Sequence, residues 1–212
     1  MRVISVNVGQ PRPVEWDGRT VLTGIFKSPV GGRVRMRTLN LDGDRQADLS
    51  VHGGPDKAVY AYPSEHYDFW REELPGTDLP WGSFGENLTS EGWEEYEVHI
   101  GDRFRIGTAE VVVTQPRMPC FKLGIKLGRE DIVPRFLESG RPGFYLRVLE
   151  EGEVGAGDAM ERIREDPHRV TVVDVVRLYL DRDGSASRDL LERAVRVGAL
   201  SPAWRERFAR RL

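Results

Sequence analysis

The chain has 212 residues, enough to bury one full hydrophobic core and to carry one small additional unit. Its 31 basic and 34 acidic residues leave a net charge of -3, which excludes an overall field attracting nucleic acid or anionic lipid. A single cysteine excludes an internal disulfide and disfavours a zinc site built from protein ligands alone. Because neither a signal-peptide core nor an apolar run of ~18 residues occurs, we expect a cytoplasmic protein that does not enter membranes.

Short strands and tight turns are predicted for the first 160 or so residues, because glycine and proline recur there too often for long helices. Apolar and arginine side chains alternate over 34–38, which is the period of a half-buried strand. The alternation recurs over 98–113, where glycines mark two turns, and again over 144–149. These segments predict an antiparallel meander and a mainly β domain over 1–163.

Two short helices are predicted within this domain. One begins near Ser64, a suitable N-cap residue, and ends before Pro75 and Gly76. The other spans Asp131 to Leu137, where Pro134 is tolerated because it falls in the first turn.

A second unit is predicted over 164–212, because glycine and proline become scarce after Pro167 and apolar residues recur at helical spacing. Breaks at Asp183-Gly184 and at Gly198 divide it into three helices. Their apolar faces contain Val172, Val175, Val176 and Tyr179, then Leu190, Leu191, Ala194 and Val195, then Trp204 and Phe208. We expect a small bundle that gains stability by packing on the main domain.

The only cysteine, Cys120, lies in a segment with two prolines that follows an apolar run. Pro116 and Pro119 restrict the backbone around the thiol, and Arg117 and Lys122 favour the thiolate. A thiolate attacks electrophiles or binds metals. The alternative is that Cys120 is a small buried apolar residue.

Paired glycines, Gly53 and Gly54, stand between His52 and the charged pair Asp56 and Lys57. Such a turn lets backbone amides approach a phosphate or a cofactor tail. The alternative is a hairpin turn with a surface charge pair.

In the segment 82–88, the glycines Gly82 and Gly85 precede Asn87, which suggests a loop shaped to present this amide. The alternative is a structural turn in which Asn87 takes a left-handed conformation. Upstream, the polar segment 43–48 is predicted to be a solvated loop.

These segments together resemble the MOSC-domain family, and within it the bacterial stand-alone members of the YiiM type. The matching segments are Gly43-Asp44 with Gln46-Ala47-Asp48, Val51 to Ala58, Phe84 to Leu88, Gln115-Pro116-Arg117 with Pro119-Cys120, and Gly140 to Phe144. The resemblance extends from about Lys27 to Leu212. It implies a barrel-like β domain followed by a C-terminal three-helix (3-alpha) extension.

The resemblance also implies a molybdenum cofactor of the molybdopterin form, whose dithiolene supplies two sulfur ligands while Cys120 supplies a third. Cofactor binding is then assigned to Gly53, Gly54, Lys57, Asn87, Arg117 and Lys122. Pyridoxal phosphate is not favoured.

Members of the YiiM type are thought to reduce N-hydroxylated bases such as 6-N-hydroxylaminopurine, which detoxifies these analogues. We therefore expect a small N-hydroxylated substrate, with His52 and Asp56 as candidate catalytic acids beside Cys120. A separate reductase must supply electrons, because the sequence contains nothing that resembles a flavin, haem or iron–sulfur site. The sequence leaves the oligomeric state open.

Three other interpretations stay open. Cys120 could carry a persulfide, as a sulfur carrier in cofactor sulfuration, or the protein could bind the cofactor without reducing N-hydroxylated compounds. A DNA-binding role for the C-terminal helices rests on eleven arginines against eight acidic residues over 164–212, but their mixing along the helices is typical of a solvated face.

Overall fold

The computed structural model describes residues 1–49, 52–181, 184–185 and 187–212. Val51, the first residue of one family segment, and Asp183, in a predicted helix break, lie outside the described residues. The strands are β1 (Arg2–Val8), β2 (Arg12–Trp16), β3 (Arg19–Thr23), β4 (Ser28–Pro29), β5 (Arg33–Met36), β6 (Val59–Pro63), β7 (Leu88–Glu91), β8 (Arg103–Ile106), β9 (Ala109–Pro116), β10 (Phe144–Glu150), β11 (Gly152–Gly155) and β12 (Met160–Arg164). The helices are α1 (Glu65–Glu73), α2 (Phe121–Leu127), α3 (Ile132–Glu138), α4 (Val172–Leu180), α5 (Arg188–Arg196) and α6 (Pro202–Ala209), with a 3₁₀ turn over Pro55–Lys57.

An eight-stranded sheet in the order β12-β8-β9-β10-β6-β7-β1-β4 forms the centre of the fold. Its strands pair antiparallel except β6 and β7, which are parallel. The sheet curls, because Arg2 of β1 forms a bridge with Ala159, next to β12 at the opposite side of the sheet. The mainly β, barrel-like architecture predicted from the sequence is thus confirmed.

The predicted meander is confirmed for β8, β9 and β10 but is wrong at its start. Val98 and Ile100 are buried, yet they belong to no strand. Instead the carbonyl of Val98 accepts a bond from the Val172 amide, and the Ile100 amide donates to Val170. The alternation at 98–100 therefore reflects a buried loop that ties the beginning of α4 to the sheet. The strand predicted over 34–38 is present but ends at Met36.

The helices predicted around Ser64, around Asp131 and in the C-terminal unit are all present. Helix α2 was not predicted, because Gly124 lies in its middle and weakens the helical pattern. That glycine is required by packing, since a Cβ there would lie 2.7 Å from the Arg129 carbonyl oxygen. No helix in the described part of the chain is long and apolar enough to cross a membrane.

Two apolar clusters form the interior. The larger one contains residues of the sheet together with Val175, Leu191 and Phe208 of the three C-terminal helices, so those helices pack directly on the main core. The smaller one is rich in aromatic side chains, and it lies beneath α1 and α3 around Trp70 and Phe136. The division of the chain at residues 163 and 164 stays a prediction.

Candidate functional site

A cavity at one end of the sheet collects most of the polar residues singled out in the sequence. Cys120, His52, Lys57, Asn87, Arg117 and Lys122 all line it. The other lining residues are Thr23, Gly24, Ile25, Lys27, Arg45, Gln46, Ala47, Tyr60, Phe84, Gly85, Met118 and Tyr145. The structure thus joins segments that are more than sixty residues apart in the sequence.

Cys120 enters this cavity between two regular elements. Strand β9 is bonded to β8 and β10 and ends at Pro116, and α2 begins at Phe121, so Cys120 occupies the N-cap position of α2. Its backbone is extended, with φ -130° and ψ 170°. Because the thiol is only partly buried and lines the cavity, it is open to a ligand there. The alternative of a buried apolar cysteine does not describe this position.

His52 lies beside the thiol, with 3.4 Å between its Nε2 and Sγ of Cys120. Burial lowers the pKa of His52, and the positive charges of Lys122 and Lys57 lower it further. The imidazole is therefore neutral near pH 7. Its buried Nδ1 has no hydrogen-bond partner within the described residues.

Arg117 brings a permanent positive charge to the cavity wall although its side chain is only 5 % exposed. Its guanidinium lies 5.5 Å from the ring centre of Tyr60 and 5.1 Å from that of Phe136. One nitrogen, Nη2, donates a long bond of 3.5 Å to the Phe84 carbonyl. The buried Nη1 finds no acceptor in the described part of the protein, so it is suited to an anionic ligand.

A buried network that the sequence did not reveal forms another wall. The Lys27 ammonium is paired with Oδ1 of Asp44, whose side chain is fully buried. Oδ2 of Asp44 accepts a bond from the Asn87 amide at 2.9 Å, and the Gly9 backbone N–H donates to Oδ1 at 2.9 Å. The prediction of a solvated loop over 43–48 is therefore wrong for Asp44.

Asn87 is held in place by its own side-chain bonds. Its Oδ1 accepts a bond from the Tyr60 N–H at 3.1 Å, while its Nδ2 binds Asp44. The positive φ angles of this segment lie at Gly82 and Gly85, at 89° and 81°, so the left-handed interpretation of Asn87 is wrong. The amide therefore links two strands to the buried carboxylate.

Glu86 anchors the loop that precedes Asn87. Its fully buried carboxylate accepts bonds from the Tyr67 hydroxyl, the Thr89 hydroxyl and the backbone N–H groups of Gly82 and Phe84. Burial raises the pKa of Glu86, while these donors act in the opposite direction. The loop that presents Asn87 is thus ordered by one buried acid.

The paired glycines and Asp56 are placed elsewhere. Gly53, Gly54 and Asp56 line a neighbouring cavity together with the first turn of α6, and Lys57 borders both cavities. The Asp56 carboxylate is bonded to Arg147, at 2.7 Å from its Nε. The structure therefore does not bring Asp56 to the thiol.

Lysine content is the sequence signal that could have identified Lys27. Of 31 basic residues only four are lysines, and three of these four line the cavity. Lysine and arginine are not equivalent, because only lysine loses its proton near physiological pH when it is buried. No such signal marks Asp44, whose burial follows from long-range packing.

Three comparisons with known proteins bear on the site. The family model described as "MOSC domain" matches residues 48–161, which include His52, Asn87, Arg117 and Cys120. The protein YflK of Bacillus subtilis is 43 % identical over 210 residues, which cover 99 % of this chain and 93 % of YflK. The crystal structure of YiiM from Geobacillus stearothermophilus superposes with a TM-score of 0.82 at 34 % identity, covering 100 % of this chain and 98 % of that one.

A protein named "Reductase" from Gibberella moniliformis is a further relative, 33 % identical over 171 residues. The match covers 79 % of this chain but 30 % of the fungal protein, so the chain is similar to one part of it.

Proposed function

The chain belongs to the MOSC domain family, and from this premise we propose that it is a molybdenum-cofactor-dependent reductase of small N-hydroxylated compounds such as 6-N-hydroxylaminopurine. The observation that supports the proposal best is the accessible thiol of Cys120 in one cavity with the buried guanidinium of Arg117, whose Nη1 has no acceptor among the described residues. A fungal relative that carries the name "Reductase" supports the same reaction class.

The residues present fit a cofactor that brings its own sulfur ligands and a phosphate. The chain offers one thiol, which is too few for a protein-made metal site but sufficient as one ligand among several. The Nη1 atom of Arg117 is buried without an acceptor among the described residues, so it can donate a hydrogen bond to a bound anion. In the proposal Cys120 holds the metal, and Arg117, Lys57 and Lys122 neutralise the anionic part of the cofactor.

When bound, the cofactor supplies a metal centre that passes electrons in pairs to the N–O bond. The reaction R–NHOH + 2 e⁻ + 2 H⁺ → R–NH₂ + H₂O needs a separate electron donor and two protons. The aromatic rings of Tyr60, Phe84 and Tyr145 line the cavity and can contact a planar base. His52 orients the thiol through its 3.4 Å contact, and its neutral ring is a poor acid. Asp56 has no part in the proposal, because it is bonded to Arg147 in the other cavity.

The test is to express the parent and Cys120→Ala in a host that makes molybdopterin and to measure bound molybdenum by elemental analysis. Reduction of 6-N-hydroxylaminopurine to adenine, with a reduced viologen dye as electron donor, is followed by chromatography. We expect the parent to hold molybdenum and form adenine, and Cys120→Ala to lose most of both. Tyr96→Phe, at an exposed position outside the cavity, is the control and should equal the parent.

Equal molybdenum in the parent and Cys120→Ala would contradict the ligand assignment. Molybdenum without adenine formation would favour a cofactor-binding protein that lacks this activity. A mass increase of one sulfur atom on Cys120, without molybdenum, would favour the sulfur carrier. DNA binding is not supported, because Arg188, Arg193 and Arg196 form ion pairs with acidic residues of their own helix.

A further inference from the structure

The proposed reaction consumes two protons, so the cavity needs a group that can deliver one to the substrate. A catalytic acid has to lie in the cavity, carry a proton at neutral pH and be able to release it. These three requirements can be compared with the charged and polar groups that line the cavity.

Several lining groups fail one of the requirements. The guanidinium of Arg117 retains its protons at any working pH. The imidazole of His52 is engaged with the thiol of Cys120. Tyr60 is buried and Tyr145 is half-buried, and burial raises the pKa values of both phenols, which makes them poor acids.

Lys27 lies in the cavity, and its pairing with the Asp44 carboxylate favours the protonated form. Its side chain is 9 % exposed and lines the cavity between β3 and β4. Burial lowers the pKa of Lys27, although the negative charges of Asp44 and Glu86 act in the opposite direction. The ammonium has three N–H bonds, and its contact with one oxygen of Asp44 leaves others for a bound substrate.

Asp44 fixes the position of this ammonium. Its carboxylate has no exposed side-chain surface and is itself held by the Asn87 amide and the Gly9 N–H. Because both oxygens of Asp44 have partners, the pair cannot move without breaking several buried bonds. Lys27 is thus pre-organised at the cavity wall, in a chain that otherwise uses arginine for almost all of its positive charges.

We propose that Lys27 is a catalytic residue that donates a proton to the substrate hydroxyl as the N–O bond breaks, and that Asp44 is its positioning residue. The inference rests on the proposed function. Two electrons from the external donor enter the N–O bond, the oxygen leaves as water after taking the Lys27 proton, and solvent supplies the second proton. The neutral amine of Lys27 then takes a new proton from water at the open side of the cavity.

Lys27→Arg tests the proposal, because arginine keeps the positive charge but does not donate its proton. We expect Lys27→Arg to bind as much molybdenum as the parent while kcat for 6-N-hydroxylaminopurine falls roughly 100-fold, with little change in KM. Lys126→Arg is the matched control, since Lys126 does not line the cavity. It should retain parental kcat.

Parental kcat in Lys27→Arg would overturn the proposal. Loss of molybdenum from Lys27→Arg would also overturn it, because the lysine would then hold the cofactor. A parent that binds molybdenum but forms no adenine would contradict the proposed function itself, and this inference with it. Failure of the inference alone is recognised by an active parent and an equally active variant.

A second measurement needs neither cofactor nor activity. With only four lysines, ¹⁵N-lysine labelling of the cofactor-free protein gives at most four side-chain signals. Lys57→Arg, Lys122→Arg and Lys126→Arg identify three of them, so the remaining signal is that of Lys27. We expect that signal to titrate below the ordinary lysine pKa of 10.5. Titration at or above that value would overturn the proposal even if Lys27→Arg did not fold.

Discussion

Positive charge is used in opposite ways by the cavity and by the C-terminal helices. In the cavity, Lys27 and Arg117 are almost fully buried, at 9 % and 5 % exposure, and Arg117 forms no ion pair with a carboxylate of the described residues. On α5, Arg188 and Arg196 are exposed and share Glu192 as their partner. Side chains of the same sign thus have very different environments within one chain.

This difference shows where charge is costly and where it is not. A buried charge loses its hydration, so it persists only with a partner or where a ligand completes the site. An exposed pair exchanges water for a partner at almost no net gain. The sequence shows both groups merely as basic residues, and only the fold separates them.

The largest expected effect follows from removing the partner of the buried lysine. Asp44→Asn leaves the Lys27 ammonium without its carboxylate, and we expect the free energy of unfolding to fall by about 3–5 kcal/mol. Urea unfolding at pH 7 measures the change. The matched control is Glu192→Gln, which removes the shared partner of two exposed arginines and should cost less than about 1 kcal/mol. Equal costs for the two variants would remove the contrast between the regions.

The sequence predicted the elements whose patterns are local. Helices α4, α5 and α6 were predicted from apolar residues at helical spacing, and β8 to β10 from alternation. The alternation at 98–100 predicts a strand, but these residues form a loop that is bonded to the start of a helix about seventy residues further along the chain. Burial from tertiary contacts produces the same alternation as a sheet, and a single sequence cannot separate the two.

The sequence singles out residues whose chemistry is rare, and it misses those that long-range geometry brings together. A lone cysteine directly after Pro116 and Pro119 points to Cys120, and the structure places His52, Lys122 and Arg117 in the same cavity. Asp56 stood near His52 in sequence, but the 3₁₀ turn directs it to Arg147. The local sequence around Asp44 predicts a solvated loop, because it contains no sign of the bonds that Lys27 and Asn87 donate to this carboxylate in the fold.

An intermediate effect is expected at the start of α4. The Thr171 hydroxyl accepts a bond from the Asp174 N–H at 3.0 Å, and the Asp174 carboxylate accepts one from the Thr171 N–H at 3.1 Å. Thr171→Ala breaks this capping box and should lower the free energy of unfolding by about 1 kcal/mol. Thr171→Ser keeps the hydroxyl and serves as the control. A cost for Thr171→Ala no larger than that of Glu192→Gln would mean that the helix terminus contributes as little as a surface ion pair.

The smallest effect expected is a change in how the free energy of unfolding depends on pH. It compares the buried carboxyl group of Glu86 with the exposed carboxyl group of Asp131. Burial raises the pKa of Glu86 above 4.5, so the folded protein retains a proton that the unfolded chain releases. The protonated carboxyl group therefore contributes stability at low pH, and this contribution is lost as pH rises through the raised pKa. The bond from Arg129 lowers the pKa of Asp131 to about 2, so its contribution is present above 3.8 and is lost only as pH falls towards that lower value. Between pH 4.5 and 7 the free energy of unfolding of Glu86→Gln should therefore rise relative to the parent, whereas that of Asp131→Asn should differ from the parent by a constant amount. Urea midpoints at several pH values measure both differences, and a constant difference for Glu86→Gln would show that this buried carboxyl is already ionised at the acid end of the range.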